Sequence, residues 1–289
     1  MSKFSEALQS GKFVVTGEVG PPKGVAIEEM LESAKLYKGR VVAVNVTDQQ
    51  SAVMRLGSLA VCHLLKDMEI EPIFQITCRD RNRIVIQSDL LSAYVLGIEN
   101  VLCLTGDYVT LGDHPQAKPV FDLDSVSLLE TAVQLQQGKD LAGKELQGSP
   151  KFFLGATVTP GANPLEPQII KMEKKVKAGA QFFQTQAVYE PRKFEEFMKA
   201  VRYLNVPVLA GIILLKSAGM ARFMNKNVAG VHVPDNLIEE MEKAEKKAEK
   251  SVEIAARLIK ELKGLCQGVH IMPIGWEKRV PAVLGAAGL

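Results

Sequence analysis

Glu18, Asn45, Gln75, Asp107 and Gln186 share a placement that matters for chemistry: each stands at or near the end of a short apolar run, just before the chain turns. Glu18 lies in Gly17-Glu18-Val19-Gly20-Pro21-Pro22, and Asp107 closes Thr105-Gly106-Asp107. A carboxyl group set in an apolar strand has its charged form disfavoured by desolvation, which suits it to donate a proton at neutral pH. Glu18 is therefore the candidate general acid, and an ion pair with a basic residue of the rim or bottom of the fold is the alternative. Asp107 follows a glycine whose missing side chain lets the backbone approach a ligand closely. It either touches that ligand or caps the next helix, and the lack of a clean helical start before Asp124-Ser125 favours contact. Gln186 offers both a donor and an acceptor, which is what reading the edge of a heterocycle requires.

Other chemistries lack their signatures. There is neither a GxGxxG turn after a strand nor a GxxxxGK[ST] loop, which disfavours a dinucleotide on a Rossmann crevice. His63, His114, His232 and His270 fall in different units without HxxxH or HExxH spacing, so no metal site is expected. His63 reads as a helix histidine of surface or core, and His270 as a residue that packs or orients something in the last strand. The cysteines, Cys62, Cys78, Cys103 and Cys266, are scattered without CxxC spacing and read as buried or free thiols.

The elements that must position these residues follow from periodicity. Eight short runs stand out: 13–18, 41–46, 72–77, 100–104, 152–157, 181–186, 207–212 and 269–273. The near-continuous apolarity of VVAVNV, VLCL and PVLAGII is that of parallel strands covered on both faces. Between the runs lie amphipathic stretches such as 27–37, 52–68, 84–96 and 165–178, long enough to make the crossovers that parallel pairing needs. Eight such units predict one α/β domain over residues 1–289, a closed (β/α)8 TIM barrel whose function collects at the strand carboxyl ends. Three segments interrupt the alternation. Residues 107–122 read as a long lid or cofactor-contacting loop, 139–150 as a polar hairpin or turn, and 235–263 as a solvated helix with internal ion pairs.

Composition sets the outer bounds. With 35 basic and 33 acidic residues the net charge is +2, too little to bind a phosphate backbone, so nucleic acid is not an expected partner. No segment has the ~20 uninterrupted apolar residues of a membrane span, and Met1-Ser2-Lys3-Phe4 does not open a secretory signal; a soluble, cytoplasmic protein is expected.

The GEVGPP turn, the VVAVNVTD strand, FQITCRDRNR, the CLTGD turn and KKVKAGAQFFQTQ, in this order and spacing, resemble the methylenetetrahydrofolate reductase family. The resemblance runs from about Phe13 to the C-terminus and is strongest to the short reductases of anaerobic and acetogenic bacteria. It implies a barrel with FAD at the strand carboxyl ends and a role in one-carbon metabolism. It also implies Glu18 as general acid to the methylene bridge of the folate, Asp107 at the pterin and flavin, and Gln186 as the pterin-reading glutamine. The flavin positions it implies are Asn45, Gln75, Thr105, Gly106, Asp107, Phe121, Asp122, Thr157, Ala162, Asn163, Gln168 and Lys175. Gln75 and Thr157 replace a histidine and a tyrosine of other members. Met220 and Met224 occupy the substrate-side positions where NADH-using members carry a glutamine and a stacking phenylalanine; methionine does not stack as a planar ring does. Electrons would then come from a partner, an electron-transfer protein or a zinc-binding subunit, within a homo- or hetero-oligomer. Two other readings remain at this point: a pterin-binding barrel without flavin, such as a folate-dependent methyltransferase domain, and a catalytically silent scaffold subunit.

Overall fold

The computed structural model describes residues 1–289. Eight strands, β1 (Val14–Val19), β2 (Ala43–Val46), β3 (Pro72–Thr77), β4 (Asn100–Leu104), β5 (Phe153–Val158), β6 (Phe182–Ala187), β7 (Val208–Ile213) and β8 (Gly268–Met272), pair in chain order, and β8 closes on β1. Every pairing is parallel. The (β/α)8 barrel expected from the eight apolar runs is the observed fold.

Helix α1 (Lys3–Gln9) precedes β1, and α2 (Glu28–Lys35), α3 (Ser58–Asp67), α4 (Arg83–Val95), α5 (Ser125–Gln136), α6 (Glu166–Lys177) and α7 (Pro191–Val201) make the first six crossovers. Between β7 and β8 lie α8 (Ala218–Asn227), α9 (Asp235–Lys243) and α10 (Lys247–Leu262), and α11 (Val280–Ala287) follows β8. Local chemistry starts several of them. Asn82 Oδ1 accepts from the Ile84 and Val85 amides, both at 3.1 Å, to cap α4. Asp124 and Ser127 form a capping box on α5, so Asp124 rather than Asp107 is the helix cap after β4.

Two hydrophobic clusters hold the fold. The larger fills the space between the outer face of the sheet and the helices. The smaller lies inside the barrel, where Val14, Ala43, Ile73, Leu102, Phe182 and Leu209 meet Phe4 and Leu8 of α1. Phe4 is fully buried and packs edge-on to Phe182, ring centroids 4.9 Å apart, so α1 plugs the end of the barrel at which the strands begin. Gly155 is required here, because a Cβ on it would lie 2.1 Å from Phe182 Cζ.

Two helical readings of the sequence are corrected. The stretch 52–68 is helical only from Ser58; Gln49, Ser51 and Ala52 take left-handed φ of 47°, 57° and 57°. The long loop after β4 imposes this turn: Asp107 Oδ2 accepts from the Ser51 amide and Asp113 Oδ1 from the Met54 amide, each at 3.1 Å. The stretch 235–263 is two helices rather than one, broken at Ala244 in extended conformation; Glu–Lys pairs form within it, as at Lys243–Glu239 and Lys250–Glu253, and α10 buries Ile254, Ala255, Leu258, Ile259 and Leu262. The polar segment 139–150 does turn back on itself, with an antiparallel bridge between Lys139 and Glu145.

Candidate active site

Alternation along the strands stacks the barrel interior in layers. Two residues above Val14 stands Thr16, and two above that Glu18; above Ala43 is Asn45, above Phe182 is Gln184, and above Gly268 is His270. All five polar residues are buried, Thr16 and Asn45 at 0% exposure and Glu18 at 7%. They form one hydrogen-bonded chain. Asn45 and Gln184 exchange bonds at 2.6 and 3.0 Å, Gln184 Nε2 donates to Thr16 Oγ1 at 3.4 Å, Thr16 Oγ1 lies 3.0 Å from His270 Nδ1, and His270 Nε2 lies 3.3 Å from Glu18 Oε2. The chain ends at the mouth on the carboxyl group of Glu18. Below it, the Tyr37 hydroxyl donates to the Glu18 carbonyl at 2.9 Å, fixing the backbone that carries the side chain.

Around the mouth, the β2, β3 and β4 ends are tied together by charge. Asp48, at the end of β2, accepts from the Thr77 amide and hydroxyl, both at 2.8 Å, and from Arg81 Nη1 at 2.7 Å; Arg81 Nε in turn reaches Asp89 at 2.8 Å. Arg79 is 2% exposed and donates to the carbonyls of Gln49 and Asp107, each at 3.3 Å. Gly106 sits between these elements at φ +97°, and a Cβ on it would come within 3.0 Å of Arg79 Cβ and 3.1 Å of Thr77 Cβ. Only glycine fits both that backbone conformation and that gap. On the β5 side, Lys175 Nζ donates to the Thr157 carbonyl at 2.7 Å. Burial, with Lys171 nearby, pushes the Lys175 ammonium down to about 8.

The thiols are not placed as nucleophiles. All four cysteines are buried and unpaired, and burial, followed by the Asp124 carboxylate, pushes Cys78 up to about 12. No group of His, Cys, Asp and Glu side chains is arranged to hold a metal ion.

A family model described as methylenetetrahydrofolate reductase matches residues 3–288. The chain belongs to the methylenetetrahydrofolate reductase family. Within that family, methylenetetrahydrofolate reductase 2 of Schizosaccharomyces pombe is 27% identical over 241 residues, covering 76% of this chain and 36% of that protein. Methylenetetrahydrofolate reductase 1 of the same yeast is 24% identical over 297 residues, covering 96% of this chain and 46% of that protein. The chain thus spans less than half the length of these relatives. Among solved structures, an uncharacterized protein from Clostridium thermocellum that binds two copies of 5-methyl-5,6,7,8-tetrahydrofolic acid superposes with a TM-score of 0.66 at 17% identity, covering 99% of this chain and 98% of that one. A 2,3-dimethylmalate lyase has the same barrel, with a TM-score of 0.56 at 11% identity. At these identities the structural likenesses establish the fold alone.

The positions implied by likeness to the reductase family differ in exposure and in partners. Thr105, Asp107 and Asn163 are exposed at the strand carboxyl ends, and Gln75, Gly106, Thr157, Ala162, Gln168, Lys175 and Gln186 are buried or half-buried there or in the segments that follow. Gln186 Oε1 accepts from its neighbour Ala187 at 3.0 Å, beside an irregularity in the β6–β7 register. Asp122 is held by Arg83, whose Nε and Nη2 donate at 2.9 and 2.8 Å and keep the carboxyl down at about 2; the adjoining Phe121 packs edge-on against Tyr108. Asn45, the register partner of Glu18, exchanges hydrogen bonds with Gln184, and Met224, 4% exposed, belongs to the main hydrophobic cluster. Met220 is partly buried, its sulfur 3.5 Å from the Lys216 amide.

Thr16 and Gln184 entered the site only through the structure, and His270, expected to pack or orient something in the last strand, has its Nε2 on Glu18. The signal was present in the sequence as polar residues inside three of the strand runs. It was hidden because in a doubly covered strand nothing marks which alternate positions face inward.

Proposed function

We propose that this chain reduces 5,10-methylenetetrahydrofolate to 5-methyltetrahydrofolate, in a single barrel that carries both the folate and an FAD at the strand carboxyl ends. The observation that carries the reading is Glu18: a carboxyl group almost withdrawn from water, its Oε2 held by His270, at the mouth of a barrel of this family.

Opening the five-membered methylene bridge requires a proton on the departing nitrogen, and Glu18 donates it, leaving a cationic iminium on the other nitrogen. The exposed carboxylate of Asp107 offsets that positive charge as it forms. The half-buried carboxamide of Gln186 reads the pterin edge. FAD, when bound and reduced, supplies the hydride that the iminium carbon accepts.

The residues present fit such a cofactor. Thr47 Oγ1, at the β2 end, is a buried polar atom with no partner in the protein, which a ligand would satisfy. Thr105, Thr157 and Lys175 surround one side of the mouth, where Lys175 Nζ donates to the Thr157 carbonyl. On this reading the reductant is a partner protein rather than NADH stacked on Met224, whose side chain is buried in the main hydrophobic cluster.

The test is spectroscopic. Purified protein is expected to show a flavin spectrum, and the photoreduced form to reoxidise when mixed anaerobically with methylenetetrahydrofolate. A colourless protein that cannot be reconstituted with FAD would overturn the reading in favour of a barrel that binds pterin alone. A flavoprotein that stays reduced in the presence of the folate would remove the assigned substrate.

A further inference from the structure

We infer that His270 is the positioning residue for the proton donor: it holds the Glu18 carboxyl group and meets the carboxylate left behind when the proton departs, with Thr16 setting which ring nitrogen carries the hydrogen. The inference rests on the assignment of Glu18 as the general acid.

The directions of the hydrogen bonds in the buried chain lead to this. Gln184 Nε2 donates to Thr16 Oγ1, which occupies the hydroxyl as an acceptor and leaves its own proton for His270 Nδ1, 3.0 Å away. With Nδ1 accepting, a neutral imidazole carries its hydrogen on Nε2, the nitrogen that faces Glu18 Oε2 at 3.3 Å. At the far end of the chain the Asn45 and Gln184 amides exchange hydrogen bonds at 2.6 and 3.0 Å.

The partnership is built into the sheet. Thr16 and His270 are register partners across the β1–β8 seam, where the barrel closes, and Glu18 is the next inward-facing residue up β1. His270 engages Oε2, so the carboxyl group is fixed with its other oxygen left for the ligand. An N–H donor interacts more strongly with a carboxylate than with a neutral carboxyl group, so His270 stabilises the state after proton transfer more than the state before it.

The alternative, that these polar residues merely fill the barrel, meets a counterexample in the same molecule. One layer below, the interior is filled by Val14, Ala43, Ile73, Leu102, Phe182 and Leu209. Burying amides, a hydroxyl and an imidazole costs desolvation that such side chains avoid. A polar chain that terminates on the Glu18 carboxyl group at the mouth has a use beyond packing.

The experiment is single-turnover reoxidation of the photoreduced, FAD-loaded protein by methylenetetrahydrofolate, in the wild type, His270→Leu, His270→Gln, Thr16→Val, Glu18→Gln and the Glu18→Gln/His270→Leu double variant. His270→Leu is expected to slow the saturated rate by about 10-fold or more, part of the roughly 10²- to 10⁴-fold that general acid catalysis contributes, with the folate concentration at half-saturation unchanged. His270→Gln, whose amide N–H can replace Nε2–H, should recover most of the loss. In the Glu18→Gln background the His270 change should add nothing. A wild-type rate in His270→Leu, or the same fold loss with and without Glu18, would overturn the inference while a slow Glu18→Gln left the general acid standing. A wild-type rate in Glu18→Gln would remove both. If His270→Leu does not fold, Thr16→Val decides: the lost hydroxyl should slow reoxidation measurably without moving half-saturation, and an unchanged rate would overturn the inference.

Discussion

One barrel interior holds two layers of opposite character, one residue pair apart on the same strands. Val14, Ala43 and Phe182 close the lower layer with α1; Thr16, Asn45 and Gln184, two positions on, make the upper one. The lower layer is held by shape. Phe182 stacks on Phe153 at 5.0 Å and meets Phe4 edge-on, and Gly155 makes room for it. The upper layer is held by direction, since every group in it depends on a neighbour's donor or acceptor. Stability is therefore expected to reside mainly in the lower layer, and chemistry to be added above it without leaving the same eight strands.

The largest expected effect is on stability below. Phe182→Ala should lower the unfolding free energy by about 3–5 kcal/mol, read from urea denaturation, because a fully buried ring leaves a cavity its aromatic neighbours cannot fill. The reoxidation rate of the molecules still folded should be unchanged; a parallel loss of rate would mean that the two layers act as one unit. A smaller effect is expected above. Asn45→Leu should cost about 1–3 kcal/mol, because it strands the buried Gln184 carboxamide, and adding Gln184→Leu should return part of that. If the single change were neutral, the directional account of the upper layer would fail.

The smallest effect lies at the rim. Lys175 is charged below about 8 and neutral above it, so the affinity for an anionic cofactor should fall as pH rises through that value, by at most about tenfold per pH unit, and Lys175→Met should flatten the profile. Equilibrium titration with FAD across that range would show whether the polar character of the mouth extends outward to this lysine. A profile that persists in Lys175→Met would place the titrating group elsewhere.

Much of the fold was legible in the sequence. The VVAVNV and VLCL runs could only be strands covered on both faces, and eight of them separated by crossover-length segments left little besides a closed parallel barrel. The helices were less legible where distant contacts overrode local preference. The turn at Gln49 to Ala52 exists because Asp107 and Asp113, far along the chain, claim its amides. For the candidate site, Glu18 and Asp107 could be singled out because each stands at a strand end beside glycine.

What the sequence carried by itself was the number of units, their parallel order and the polar residues that close them, since each of these is written in short stretches of periodicity. What the tertiary structure alone decided was partnership. Glu18 meets His270 across 252 positions and Asn45 meets Gln184 across 139, and those distances close only when β8 pairs with β1 and the strands take a common tilt. In a strand buried on both faces, burial does not distinguish the inward residues from the outward ones. The phase of each strand, and with it the hydrogen-bonded chain that ends on Glu18, is therefore set by closure of the barrel.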